Sequence, residues 1–188
     1  MSITSILSRL LALLIFIASL PLLLVILIAI KLEDGGPLIF SQKRTGKGKR
    51  PFRMYKIRTM VVGAEKMKDN LLPLNEADGP VFKIRQDPRH TKVGRFLAHS
   101  GLDELTQLLN IIKGEMSFVG PRPLPLAEAE KVSKKYELRY SVLPGITSSW
   151  VVKGSHALTF KEWMENDLED VKKLRFVARL TIFAQTFL

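Results

Sequence analysis

The chain contains no cysteine. Disulfides and thiolate metal sites are thereby excluded, and a reducing compartment is consistent with that usage. The three histidines, His90, His99 and His156, lack metal-ligand spacing, which argues against zinc. Gly46-Lys47-Gly48-Lys49 is not a nucleotide-binding P-loop, because the four residues between the first glycine and Gly-Lys-Ser/Thr are missing. No G-x-G-x-x-G follows a strand and no G-x-S-x-G elbow is present. Acidic residues are few, 18 against 29 basic ones, for a net charge of +11. Aromatic residues make up only 8 % and do not interleave with the basic runs, as a single-strand nucleic-acid binder would need. The basic excess has three readings, anionic lipid, a phosphate-rich substrate or nucleic acid, and the missing stacking aromatics weigh against the last, so no nucleic acid is expected as partner.

What the chain does have is a long hydrophobic run. Leu10 to Ile30 carries no charge, Ser19 is its one polar side chain, and Pro21 stands near the middle. About 20 apolar residues suffice to cross a bilayer as a helix. The run is too long for a secretory signal, and no A-x-A-like cleavage site precedes Lys31. Pro21 removes one backbone donor and kinks a helix, and Ser19 is the nearby hydroxyl expected to serve the freed carbonyl. Two topologies follow: a kinked spanning helix, or a helix-break-helix hairpin that enters and leaves by one face. The local pattern by itself favours spanning. Positive charge flanking the run places the remainder on the cytoplasmic side.

That remainder is long enough for one domain with a modest core, and it shows no internal repeat or low-complexity segment. Glu33 to Pro37 reads as a turn and Leu38-Ile39-Phe40 as a short strand, followed by a lysine- and glycine-rich loop from Ser41 to Arg50. Pro51 to Arg58 alternates apolar and basic residues, which predicts a strand with one basic face. Together these form a hairpin lying against the membrane. Val61 to Leu74 reads as a helix. Leu102, Leu105, Leu109 and Ile112 recur at helical spacing, so Leu102–Lys113 is read as an amphipathic helix ended by Gly114. Pro121-Arg122-Pro123 must be a loop. Further helices are expected over Leu126–Tyr140, Phe160–Leu168 and Val171–Leu188, the last suited to lying in the membrane interface. The expected class is α/β, of the helix-rich α+β kind.

Two features could carry chemistry. Asp103 and Glu104 are adjacent, and neighbours on a helix diverge by about 100°, so they form no carboxylate dyad by themselves. They could share a divalent cation, or one could react while the other binds metal or moves a proton. The competing reading is a capping box, with Ser100 as N-cap and Asp103 at N3, and the local pattern favours it. Arg122, held between two prolines, is either a stiff guanidinium fork for phosphate or carboxylate, or an ordinary surface turn.

GGPLIFSQKRTGKGKRPFRMYKIRTM at 35–60, DGPVFKIRQDPR at 78–89, GLDELTQLLNIIKGEMSFVGPRP at 101–123 and LPGIT at 143–147 follow the proline-containing hydrophobic segment. In that order they resemble the bacterial sugar transferases, the monotopic phosphoglycosyl transferases that start glycan assembly on polyprenol phosphate. The resemblance implies that a sugar-1-phosphate passes from a nucleotide-diphosphate sugar, commonly a UDP-sugar, to undecaprenyl phosphate, with release of UMP. It implies Mg2+, Asp103 as nucleophile and Glu104 as a metal ligand or proton carrier. Arg122, with Lys56, Arg58, Arg85 and Arg95, becomes a candidate for binding phosphate or nucleotide. It also implies a re-entrant membrane hairpin over 1–32, broken at Ser19 and Pro21, and a cytosolic transferase domain over 33–188 with a β-hairpin and interfacial amphipathic helices. The setting would be the bacterial inner (cytoplasmic) membrane, with membrane lipids as partners and a homodimer left open. The chain departs from the pattern at Leu20, inserted between Ser19 and Pro21, at Gly101 for the usual serine, at Thr106 for the usual proline, and at Ala98 for a common arginine. The segment Ser148 to Gly154 departs as well. Two other readings compete: a membrane-anchored basic binding module, and a catalytically inactive scaffold.

Overall fold

Helix α1, Ile3–Asp34, runs for 32 residues in the computed structural model, which describes residues 3–152, 158–173 and 182. At 1.5 Å per residue it is about 48 Å long, and it continues through Pro21 without interruption. The Ser19 hydroxyl donates to the carbonyl of Phe16 at 2.8 Å, not to that of Ile17, whose helical partner would have been the missing N–H of Pro21. A serine on a helix folds back to the carbonyl three or four residues earlier, so Ile17 is out of its reach. Leu23, Ile26 and Ile30 form the buried stripe, packing with Ile57 and Leu97. Most of the remaining surface, including Leu10, Leu14, Ile17, Leu24 and Val25, is exposed. Apolar surface of that extent is what a bilayer covers, and the helix is long and apolar enough to cross one.

The chain forms two compact units. One holds the chain up to Gln42 with Met54–Glu76 and Phe82–Ile112; the other holds Lys43–Arg53, Ala77–Val81 and the chain from Lys113 onward. Strands β1 (Ile39–Thr45) and β2 (Pro51–Ile57) pair as the expected hairpin. Its first strand runs beyond the expected Phe40, because Thr45 donates its N–H to the Leu124 carbonyl at 2.9 Å and so stays extended. The loop shrinks to a short 3₁₀ tip, Lys47–Lys49. Of the basic residues expected to share one face, Arg53 is exposed, Lys56 half-buried and Arg58 buried. Met54 and Ile57, on opposite faces by strand geometry, are both buried, and Lys56 and Arg58 are drawn in beside them.

In the first unit the chain leaving β2 is fastened to the segment before α2 (Lys92–Ser100). Val61 N–H bonds the Arg89 carbonyl at 2.9 Å, and Thr91 N–H bonds that of Thr59 at 3.1 Å. Thr91 Oγ1 caps α2 by accepting from Gly94 N–H at 2.9 Å. Glu33, at the end of α1, accepts from the Lys92 N–H at 2.7 Å, where the positive end of the helix dipole favours a carboxylate. Gly94 lies hard against the strand exit: a Cβ there would stand 1.9 Å from the Thr59 carbonyl oxygen. The helix expected over Val61–Leu74 is instead two 3₁₀ turns, Ala64–Met67 and Asp69–Leu74. Gly63 enters with a left-handed φ of 83° and Pro73 supplies no donor, so α-helical bonding is not sustained.

Leu102–Lys113 is also tighter than expected. It begins as a 3₁₀-helix, Leu102–Gln107, and becomes helix α3 over Leu108–Lys113, ended by Gly114 at a φ of 78°. In the second unit β3 (Ser117–Val119) pairs in parallel with β4 (Gly145–Thr147). The charged helix expected over Leu126–Tyr140 is split into α4 (Leu126–Ala129) and a 3₁₀-helix, Lys134–Ser141, because Ser133 takes an extended ψ of 140°. Helix α5 (Ser149–Val152) packs on α6 (Phe160–Lys173) through Trp150 and Trp163, whose ring centroids are 4.7 Å apart. Helix α6 runs on past the expected end at Leu168, and the rest of the final expected helix, Ile182 apart, lies outside the described residues. The helix-rich mixture with two small sheets agrees with the expected class.

A buried fork braces the loop before α2. Arg89 donates from Nε and Nη2 to the two oxygens of Asp87, at 2.9 and 2.6 Å, and lies over the Phe82 ring. Burial pushes the Asp87 carboxyl up, but the hydrogen bonds from Arg89 outweigh it and hold the group below its ordinary value. The folded chain thus releases this proton more readily than the unfolded chain. The resulting stability is complete above the ordinary carboxylate range and is lost as pH falls through and below it. Asp87→Asn, which leaves Arg89 buried with half its fork, is expected to cost about 3 kcal/mol near neutral pH and to flatten the acid limb of a melting-temperature profile. An unchanged acid limb would remove Asp87 from that role.

Candidate active site

The segment carrying Asp103 and Glu104 starts at Gly101, whose φ of 71° both closes α2 and opens the 3₁₀-helix. Ser100 is the last residue of α2, and its hydroxyl donates back to the carbonyls of Phe96 and Leu97 at 2.9 and 3.2 Å. No side chain caps the 3₁₀-helix. The capping-box reading therefore fails, since the chain turns at Gly101 before Ser100 can act as a cap. The carboxylates are used differently. Lys56 Nζ stands 3.0 Å from Asp103 Oδ2 and 2.8 Å from Glu104 Oε1. Side chains on successive 3₁₀ residues diverge by about 120°, and one long lysine from β2 spans the gap. Asp103 is only 5 % exposed. Asn110, fully buried on α3, accepts the Tyr55 N–H at 3.2 Å and ties β2 to the same segment.

His90 belongs to these surroundings, although its spacing in the sequence pointed to no site. It bridges to Met60. Burial lowers its imidazole below the ordinary value, with Arg95 and His99 adding to that and Asp87 and Asp103 opposing it. Among the described residues no group of three or more acidic or histidine side chains could cage a metal. Two adjacent carboxylates suit a hard cation that keeps water or phosphate oxygens as its other ligands, which is how magnesium is ordinarily held.

In the second unit, four successive carbonyls of the Pro-Arg-Pro loop are all bonded. Pro121 accepts from Gly145 N–H at 3.0 Å and Leu124 from Thr45 N–H at 2.9 Å. Arg122 accepts from Arg139 at 2.8 Å, and Pro123 from Arg44 at 3.2 Å. The stiffness expected of the loop is thus built from hydrogen bonds as well as from prolines, and Arg122 is half-buried on it.

The family model for bacterial sugar transferases matches residues 1–188. The chain belongs to that family. Its relatives include the galactosyl transferase CpsE of Streptococcus agalactiae, 44 % identical over 142 residues, which is 75 % of this chain and 32 % of CpsE. The exopolysaccharide production protein ExoY of Sinorhizobium fredii is 34 % identical over 181 residues, covering 94 % of this chain and 80 % of ExoY. The UDP-glucose:undecaprenyl-phosphate glucose-1-phosphate transferase of Caulobacter vibrioides is 42 % identical over 139 residues, 71 % of this chain and 47 % of that protein. The chain thus matches only about a third of the length of the streptococcal relative.

The other basic residues of the chain are placed unequally. Arg58 is buried and occupied: Nη1 bonds Asp34 at 2.7 Å and the Met60 carbonyl at 2.9 Å, and Nε bonds the Pro37 carbonyl. Those bonds hold the Asp34 carboxyl, beyond the apolar run, down to about 2. Arg95 is exposed on α2, and Arg85 is exposed on the loop between Glu76 and Asp87. Lys56 contacts both members of the acidic pair directly. Arg122 stands in the second unit. Arg139 and Asp167, a buried ion pair behind the Arg122 loop, had no signal in the sequence, because residues 28 positions apart on charged segments look like ordinary surface.

Lys56→Met should deprive two largely buried carboxylates of their shared ammonium and lower stability by about 2 kcal/mol. Glu104→Gln introduced into that variant should recover part of the loss, read as melting temperature in detergent micelles. A loss indifferent to Glu104 would mean that the ammonium does not hold the pair.

Proposed function

We propose that the chain transfers a sugar-1-phosphate from a UDP-sugar to undecaprenyl phosphate, with Asp103 as the nucleophile. One observation carries the proposal: Asp103 is buried and turned to a lysine together with Glu104, although nothing in the local helix requires either as a cap. The family and the activity for which the Caulobacter relative is named support the same reaction.

The steps balance without a co-reactant. An Asp103 carboxylate oxygen attacks the β-phosphorus of the UDP-sugar. The bond from that phosphorus to the bridging oxygen breaks, and UMP leaves with the electron pair. The phosphosugar remains on Asp103 as an acyl phosphate, a known form of nucleophilic catalysis by aspartate. A phosphate oxygen of undecaprenyl phosphate then attacks the same phosphorus, which yields the diphosphate-linked sugar and restores the carboxylate. Lys56 aims Asp103 and offsets the charge of the pair, so that an anionic diphosphate does not meet two bare carboxylates. Glu104 and Asp103 would hold Mg2+, which when bound screens the phosphate charge. Arg122 grips a phosphate of the nucleotide with its planar fork.

The decisive experiment is UMP release from a panel of UDP-sugars with undecaprenyl phosphate and magnesium. Asp103→Asn should abolish release with the fold intact, and chelation by EDTA should stop the wild type reversibly. Labelled UMP should exchange into UDP-sugar with no lipid phosphate present, as a covalent intermediate requires. Exchange that needs the lipid would replace the intermediate with direct attack by lipid phosphate.

The topology proposed with this activity is re-entrant, with both ends of α1 on the cytoplasmic face of the inner membrane. The chain's own support is the Ile17 carbonyl left by Pro21 without its helical donor, a weak point at which the helix can fold back in lipid. Cysteines placed at Ser2 and Ser41 should both be shielded from an impermeant thiol reagent in intact cells, and both should react after permeabilisation. Labelling of position 2 from outside would establish a spanning helix.

A further inference from the structure

The second unit contains an ion pair that the proposed chemistry leaves unused. Arg139 is 2 % exposed and Asp167 is fully buried. Nε and Nη2 of Arg139 both donate to Asp167 Oδ2, at 3.1 and 2.8 Å. Nη2 also donates to the main-chain carbonyl of Arg122 at 2.8 Å. Stripping water from two charges is expensive, and a well-packed apolar pair of the same volume is often as stable or more so. Stability alone therefore does not account for charge at this place. The shared Nη2 does. Arg122 is followed by Pro123, which has no N–H, and the neighbouring carbonyls of the loop are already served by Gly145, Arg44 and Thr45. Arg139 is the donor that fixes the Arg122 peptide. Asp167 in turn fixes Arg139, from the face of α6 that also carries Trp163 one turn earlier. Asp170, three residues on, is engaged by the Ser149 N–H at 3.1 Å and does not replace it. Arg122 and Arg139 line one small depression together with Thr45 and Tyr140, so a shift of Arg139 is felt where Arg122 meets its ligand.

We propose that Asp167 is a positioning residue: it locks Arg139 onto the Arg122 carbonyl and so sets the approach of the Arg122 guanidinium to a nucleoside diphosphate. The inference rests on the proposed phosphate-binding role of Arg122. Its test is a double-mutant cycle on UDP affinity, measured by calorimetry on the full chain in nanodiscs, since binding remains measurable when turnover is lost. Asp167→Asn is close in shape and should weaken UDP binding about tenfold with Arg122 in place, but less than about twofold in an Arg122→Ala background. A merely structural role would give the same factor in both backgrounds, and that result overturns the proposal. Arg139→Lys keeps the charge but loses the fork. It should reproduce the pattern and stands in for Asp167→Asn if that variant does not fold. If Arg122→Ala weakens binding and neither partner variant does, the positioning role fails alone. If UDP binds equally well without Arg122, the role of Arg122 fails and the positioning role falls with it.

Discussion

Two consecutive acidic residues, one of them nearly sealed from solvent, repel each other and lose hydration unless a cation touches both. Lys56 is that cation, and the first unit is arranged to keep it there. Met54 and Ile57 are buried on either side of it along β2 and anchor the backbone that carries the lysine. Two residues further on, Arg58 does the same service for Asp34 at the end of α1. β2 and the residue that follows it thus supply positive partners of two separate acidic segments. The membrane helix and the acidic pair share a framework because their charges are settled by the same few residues.

The second unit solves a different problem. A Pro-Arg-Pro loop is short of donors of its own, so its carbonyls must be bonded from elsewhere or stay wet. They are bonded from three directions: the end of β1 through Arg44 and Thr45, the start of β4 through Gly145, and the 3₁₀-helix through Arg139. A loop held in this way keeps one conformation with or without a ligand. That is the condition under which a guanidinium gives up little entropy on binding phosphate.

Much of this was legible in the sequence, and the rest was hidden for physical reasons. The hydrophobic run, the hairpin, the rigid Pro-Arg-Pro loop and the stop at Gly114 follow from composition, periodicity and the special conformations of proline and glycine. The errors cluster where residues that fit a helix were bent by one neighbour: Gly63 and Pro73 turned Val61–Leu74 into 3₁₀ turns, and Ser133 split the charged segment after Leu126. Ser100 had the right spacing from Asp103 for a capping box, yet the left-handed Gly101 between them cancelled it. Charge partners were the least visible of all. Lys56 with Asp103, Arg58 with Asp34 and Arg139 with Asp167 are joined by tertiary packing alone, and alternation along β2 suggested a solvated basic face where the strand is drawn into the unit.

The position of Gly94 has a mechanical consequence. Backbone touches backbone there, with no side chain between to act as a cushion, and Thr91 is bonded at the same spot. At the other end Asn110 grips the Tyr55 amide. Asp103 and Glu104 therefore ride on an arch whose two feet are pinned to β2, which bears Lys56, and to the chain leaving it. A tilt of α1 would thus carry arch and strand along as a single clasp, with the spacing among the three charges kept.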